Sequence, residues 1–121
     1  MLSRNAKAIA VVDDDRRVLN SLANLLASCG YETQLFISAE LLLAAELSDF
    51  LCVISDLSMR PIDGLQLLRR VRNRPDALPV IIITGKPGDR TESFFLAHGA
   101  AGFFRKPVDG DALIALIDQF Q

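Results

Sequence analysis

Four apolar runs in this chain stop at a polar or charged side chain. Ala8 to Val12 (AIAVV) ends at Asp13 and Asp14, and Leu51 to Ser55 (LCVIS) at Asp56. Val80 to Thr84 (VIIIT) ends in Thr84 itself, and Gly102 to Arg105 (GFFR) runs into Lys106 and Pro107. Each residue alone has an ordinary explanation. Asp14 or Asp15 can cap the helix that follows, and Asp56 can form a turn. Thr84 fits an ordinary strand position, Lys106 a solvated charge, and His98 a helix end where it favours the dipole. Coincidence at four run ends is much harder to explain that way.

Brought together, these groups call for a cation. Three carboxylates about 5 Å apart repel by roughly 3 kcal/mol per pair at an effective dielectric near 20. A hard divalent ion removes that repulsion. Oxygen donors with no nearby His or Cys favour Mg²⁺, with Mn²⁺ as the other candidate, over zinc. With metal bound, the same pocket attracts a phosphoryl group, which Lys106 and Thr84 can also meet. Asp56 is then a turn former, a metal ligand or a nucleophile.

The surrounding pattern must supply the geometry. Val18, Leu19, Leu22, Leu25, Leu26 and Cys29 fall at helical spacing before Gly30. Glu32 to Ile37 reads as a second, more polar strand. Ser38 can cap a helix through Leu47. Gly64 to Arg74 carries Leu65, Leu68 and Val71 on one face, Thr91 to His98 forms a short helix, and Asp109 can cap a last one. The order is therefore βαβαβαβαβα, and near-continuous apolar strands imply a parallel sheet covered on both faces. The predicted fold class is α/β: a (βα)5 doubly wound, five-stranded parallel sheet of order 2-1-3-4-5, flavodoxin-like, with the polar second strand at an edge. Its ligand cleft lies beyond the carboxyl ends of strands 1 and 3.

Length and composition agree. The 121 residues are half hydrophobic, with 13 basic and 15 acidic side chains, which suits one domain over residues 8–121 after a polar N-terminal tail over 1–7. The near balance of charge argues against direct nucleic-acid binding by this domain. No apolar run approaches a membrane span. Cys29 and Cys52 lie on apolar patterns and read as buried small hydrophobes of a reduced, cytoplasmic protein.

The motifs VVDDD (Val11 to Asp15), SDLSM (Ser55 to Met59), ITG (Ile83 to Gly85) and FFRKP (Phe103 to Pro107) resemble the receiver domain of bacterial two-component response regulators, the CheY-like family. Order and spacing agree over nearly the whole chain, and ITG and FFRKP look like receivers of the nitrogen-fixation regulator type. The resemblance implies a phosphorelay module with Asp56 as the phosphoacceptor, fed by a histidine kinase or phosphotransfer protein. It implies that Asp14 and Asp56 bind Mg²⁺ directly with the backbone carbonyl of Ser58, and that Asp13 acts largely through water. Lys106 would pair with Asp56 at rest and with the phosphoryl group afterwards. Thr84 would swing toward that group, and Phe103 would pack inward in response. The partner surface would be the helix from Thr91 to His98, strand 5 and the last helix, within the face from strand 4 to helix 5; of Phe94, Phe95 and Phe104, two read as core and the third as apolar contact there. A homodimer through that face and a C-terminal helix-turn-helix effector domain outside this chain complete the expectation.

One position departs from the family pattern. Proline usually stands four residues after the phosphoacceptor; here Arg60 does, and Pro61 follows. Arg60, together with Lys86 two residues after Thr84, brings positive charge toward the metal site. The expected effect is weaker Mg²⁺ binding and a firmer hold on phosphate. Two other readings compete. A phosphorylation-independent binding module would keep the fold without the chemistry. A haloacid-dehalogenase-type phosphatase would need a second aspartate two residues after Asp56, where Ser58 stands.

Overall fold

The computed structural model describes residues 7–85, 88 and 90–121. The tail expected over 1–7 falls outside them except for Lys7. Five strands, β1 (Ala8–Val12), β2 (Thr33–Phe36), β3 (Phe50–Asp56), β4 (Val80–Thr84) and β5 (Gly102–Arg105), alternate with five helices. The helices are α1 (Arg16–Ser28), α2 (Ala39–Leu43), α3 (Gly64–Arg72), α4 (Glu92–Ala97) and α5 (Gly110–Asp118). All strand pairings are parallel, in the order β2-β1-β3-β4-β5, as the apolar runs predict.

Alternation along each strand divides the core in two. Ala10 and Val12 of β1 join Leu42, Leu67, Leu68, Val71 and Phe95, so α2, α3 and α4 cover one face. Ile9 and Val11 join Leu19, Leu22, Leu26, Leu113 and Ile117, so α1 and α5 cover the other. The central strands β3 and β4 are buried almost throughout, whereas β2 exposes Gln34 and Leu35 at the edge. Gly102 permits close packing of α5, because a Cβ there would come 2.5 Å from Leu116.

Two expectations need correction. Helix α2 stops at Leu43 instead of reaching Leu47. A continued helix would bond the Leu47 N–H to the Leu43 carbonyl. Both groups are taken elsewhere: the Arg74 guanidinium donates to the Leu43 and Ala45 oxygens at 2.8 and 3.0 Å, and Asp76 accepts from the Leu47 N–H at 3.1 Å. Arg74 and Asp76 pair with each other at 2.8 Å, so one ion pair replaces the next turn of helix. The second correction concerns Cys29, which follows α1 as its exposed C-cap. Cys52 is fully buried on β3, where burial pushes its thiol up to about 12. Both cysteines are free thiols.

Candidate functional site

The sheet's hydrogen bonds continue past the strands into the residues that matter. The Asp13 N–H donates to the Phe36 carbonyl at 3.1 Å, Leu57 to Ile83 at 2.8 Å, and Lys106 to Thr84 at 2.8 Å. These bonds fix the backbone at the carboxyl ends of β1, β3 and β5, where polar side chains emerge. The turn after β3 is held from the other side by α3. Its Gly64 N–H donates to the Leu57 carbonyl at 2.9 Å, and a Cβ at Gly64 would stand 2.5 Å from the Asp56 carbonyl oxygen. Only glycine lets the helix start this close to the Asp56 backbone.

The three aspartates after β1 divide their roles. Asp15 caps α1, accepting from the Arg17 N–H at 2.9 Å. Asp13 is buried; its Oδ1 accepts from the Asp15 N–H at 2.9 Å and its Oδ2 from the Lys106 ammonium at 3.1 Å. Asp14 is exposed. Asp56, only 6% exposed, accepts from the same ammonium through Oδ1 at 3.1 Å. One carboxylate oxygen from each of Asp13, Asp14 and Asp56 lies within 4.8 Å of the others. Thr84 is buried beside them at the end of β4. The sequence-predicted constellation is thus brought to one cleft.

The electrostatics are strained in the direction the residue types imply. Burial and the neighbouring Asp13 charge push the Asp56 carboxyl above the usual range, against the pull of Lys106. Burial works against the charged Lys106, but its hydrogen bonds to Asp13 and Asp56 outweigh that and hold its pKa above the ordinary lysine value. One ammonium against three carboxylates leaves the pocket short of positive charge. The donor set is all oxygen, which fits a hard ion of the Mg²⁺ type and not a soft one.

An open cleft of about 700 Å³ adjoins the acidic pocket, lined by Asp14, Ser58, Thr84 and Phe103 among others. Phe103 stacks on buried Phe95, with ring centres 5.1 Å apart and planes 14° from parallel. Phe104 packs on the opposite face of the sheet, with the α1 and α5 core. Phe94 meets Phe95 edge-on at 5.2 Å. In the turn after Asp56, Met59 is buried and Arg60 exposed, and the Arg60–Pro61 and Lys106–Pro107 peptide bonds are cis. Lys86 lies outside the described residues. His98 Nδ1 pairs with the Phe94 carbonyl oxygen at 2.8 Å at the end of α4, an ordinary helix-end role. Sequence reasoning missed the bond from Lys106 to Asp13 and the approach of Gly64 to Asp56. It also missed Arg90 and Arg105, which line the cleft with Arg60. No spacing rule relates these residues; only the turn glycine carried a local signal.

A doubly wound parallel sheet with an acidic pocket and one lysine at its switch point defines a class of small signalling modules. Residues 9–118 match the family model "Response regulator receiver domain", and the chain belongs to that family, a component of two-component signal transduction. It is 36% identical over 111 residues to the transcriptional regulatory protein FixJ of Bradyrhizobium diazoefficiens, covering 91% of this chain and 54% of that protein. It is 31% identical over 117 residues to the response regulator protein TodT of Pseudomonas putida, covering 96% and 52%. The chain thus spans about half the length of these curated relatives. Among solved structures, FixJ-N superposes with a TM-score of 0.82 at 27% identity, covering 99% of this chain and 94% of that one. A response regulator receiver protein from Pseudomonas putida gives 0.83 at 27% identity, covering 98% and 99%.

Proposed function

We propose that this receiver domain takes a phosphoryl group onto Asp56 from the phosphohistidine of a histidine kinase or phosphotransfer protein, and that the product changes its binding to a partner. The observation that carries the reading is the convergence of Asp13, Asp14 and Asp56 within 4.8 Å, with Lys106 bonded to two of them. In the transfer, an Asp56 carboxylate oxygen attacks phosphorus and the P–N bond breaks. Its electron pair returns to the donor imidazole nitrogen, which takes up a proton. Asp14 and Asp56, with the Ser58 carbonyl, would hold Mg²⁺, and Asp13 would act largely through its water. When bound, the ion offsets negative charge on the carboxylates and the phosphoryl oxygens. Lys106 supplies a fixed positive charge, and the Thr84 hydroxyl can donate to a phosphoryl oxygen. Movement of Thr84 leaves room for Phe103 to change its packing on Phe95, which carries the change to α4 and β5.

The donor's approach is supported by a second groove, largely apolar, between α1 and the segment after β5. Val18, Leu22 and Leu25 line it beside Lys106 and Pro107. A histidine-bearing helix seated there would bring its phosphoryl group to the lysine side of Asp56. The output face would run from β4 to α5 and could also support a homodimer. The name of FixJ, a transcriptional regulatory protein, favours transcription as the output, which on this reading runs through a helix-turn-helix domain outside this sequence. The reading places the domain in the cytoplasm with its kinase. Among the described residues, no helix is long and apolar enough to cross a membrane.

Ser58 occupies the position where an aspartyl phosphatase needs its acid, so turnover of outside substrates is not part of the reading. Incubation with acetyl phosphate and Mg²⁺, followed by intact mass, tests it. The expected result is a gain of one phosphoryl group that is lost in Asp56→Asn. No gain would favour a module that works without phosphorylation, and steady hydrolysis of a generic phosphate ester would favour the phosphatase.

A further inference from the structure

The cleft beside Thr84 contains groups that phosphotransfer does not use. Its volume of about 700 Å³ lies in the range of sites for small organic ligands. The lining is apolar on one side, where Phe103 stacks on Phe95 and Met59 and Leu65 close in. The rest carries three guanidinium groups from three parts of the chain: Arg60 from the turn after β3, Arg90 from before α4, and Arg105 from the end of β5. Among the described residues none of the three forms an ion pair. The Arg90 guanidinium lies over the Phe94 ring, its central carbon 4.7 Å from the ring centre. Two carboxylates share the lining, Asp14 and Asp63. Asp63 is committed to capping α3, accepting from the Gln66 N–H at 2.9 Å, and Asp14 faces the acidic pocket.

We propose that this cleft binds a small organic anion: a compact apolar or aromatic body bearing a carboxylate, sulfonate or phosphate. The ring lies against Phe103 and Met59. The anionic group sits among guanidinium forks, which bind planar oxyanions through paired N–H donors. Asp14 and Thr84 line the cleft and also border the Asp56 pocket, so the ligand and the state of Asp56 affect each other, and that coupling is reciprocal. The binding itself does not depend on Asp56 accepting a phosphoryl group.

Fluorescence titration of the intact chain with anilinonaphthalene sulfonate, an aromatic anion, tests the proposal, with amide chemical shifts to locate the probe. The expected result is saturable binding with shifts at Thr84, Gly88 and Phe103. Affinity should fall about tenfold in the double variant Arg60→Gln, Arg105→Gln, a loss the size of one charge-assisted hydrogen bond. Arg90→Gln should weaken binding independently, and Arg70→Gln, on the exposed side of α3, should not. All four arginines are exposed, so these variants keep the fold. Unchanged affinity in the double variant would overturn the proposal. So would equal binding of uncharged phenylnaphthylamine, or shifts confined to the groove beside α1.

Discussion

The Lys106 ammonium stands 3.1 Å from the carboxylate of Asp56, a residue fifty positions earlier in the chain. It stands equally close to Asp13, ninety-three positions earlier. One side chain therefore ties the ends of three strands, β1, β3 and β5, across a cleft that would otherwise push itself apart.

Removing that cation exposes the repulsion. Lys106→Met should unfold at lower urea concentration in metal-free buffer, with a loss of about 2 kcal/mol, because it leaves two buried carboxylates without their partner. Mg²⁺ should then stabilise the variant more than the parent chain. Equal Mg²⁺ increments in the two would count against a shared metal pocket.

Removing the central carboxylate should do the opposite. The Asp56 pKa is raised in the fold, first by burial and then by Asp13. A raised acid group favours folding most below its unfolded value near 3.8 and loses that contribution as pH rises through its folded value. At neutral pH the charged form therefore weakens the fold. Asp56→Asn should raise the urea midpoint at neutral pH without Mg²⁺, and the gain should shrink as the pH approaches 4.

Gly64→Ala should damage both fold and site. The new methyl would lie 2.5 Å from the Asp56 carbonyl oxygen and 2.8 Å from the Leu57 Cα, both backbone atoms with little freedom to yield. Relief requires α3 to back away, at a cost of about 2 kcal/mol. Thermal unfolding would read the loss. Acetyl phosphate labelling of the folded fraction should slow as well.

Arg60 stands where the family usually has proline, on the lining shared with Asp14. Arg60→Pro should tighten Mg²⁺ binding about threefold, the scale of one exposed charge interaction. Titration calorimetry would measure it. An unchanged or weaker affinity would show that the guanidinium does not act on the metal pocket.

The chain has one tyrosine, so its ionisation can be followed directly by ultraviolet absorbance. Tyr31 donates to Asp118 and accepts from Gln121. Burial, reinforced by Asp118, pushes its pKa up to about 12. The neutral phenol favours the fold below pH 10, and that contribution disappears as the pH rises through about 12. The native midpoint should lie well above the value near 10 expected in concentrated urea, and Asp118→Asn should bring it down.

Much of this was legible in local pattern. AIAVV, LCVIS and VIIIT read as strands buried on both faces, and their order with the intervening helices left few sheets to choose from. The acidic pocket followed because its members stand at strand ends, which a parallel sheet gathers on one edge. The end of α2 was not legible: the local pattern runs on to Leu47, and the groups that stop it, Arg74 and Asp76, lie about thirty residues away. Cys29 kept the helical spacing but falls one residue beyond the last turn. The Tyr31–Asp118 bond and the gathering of Arg60, Arg90 and Arg105 likewise depend on tertiary approach, which periodicity does not encode.

The bonds that carry the ladder past the strands, at Asp13, Leu57 and Lys106, have a kinetic consequence. Their amide protons should exchange with deuterium as slowly as those of the sheet interior, since none can open without unzipping a strand end. The peptide frame that carries Asp13, Asp56 and Lys106 is therefore held by the sheet itself, whether or not an ion is present.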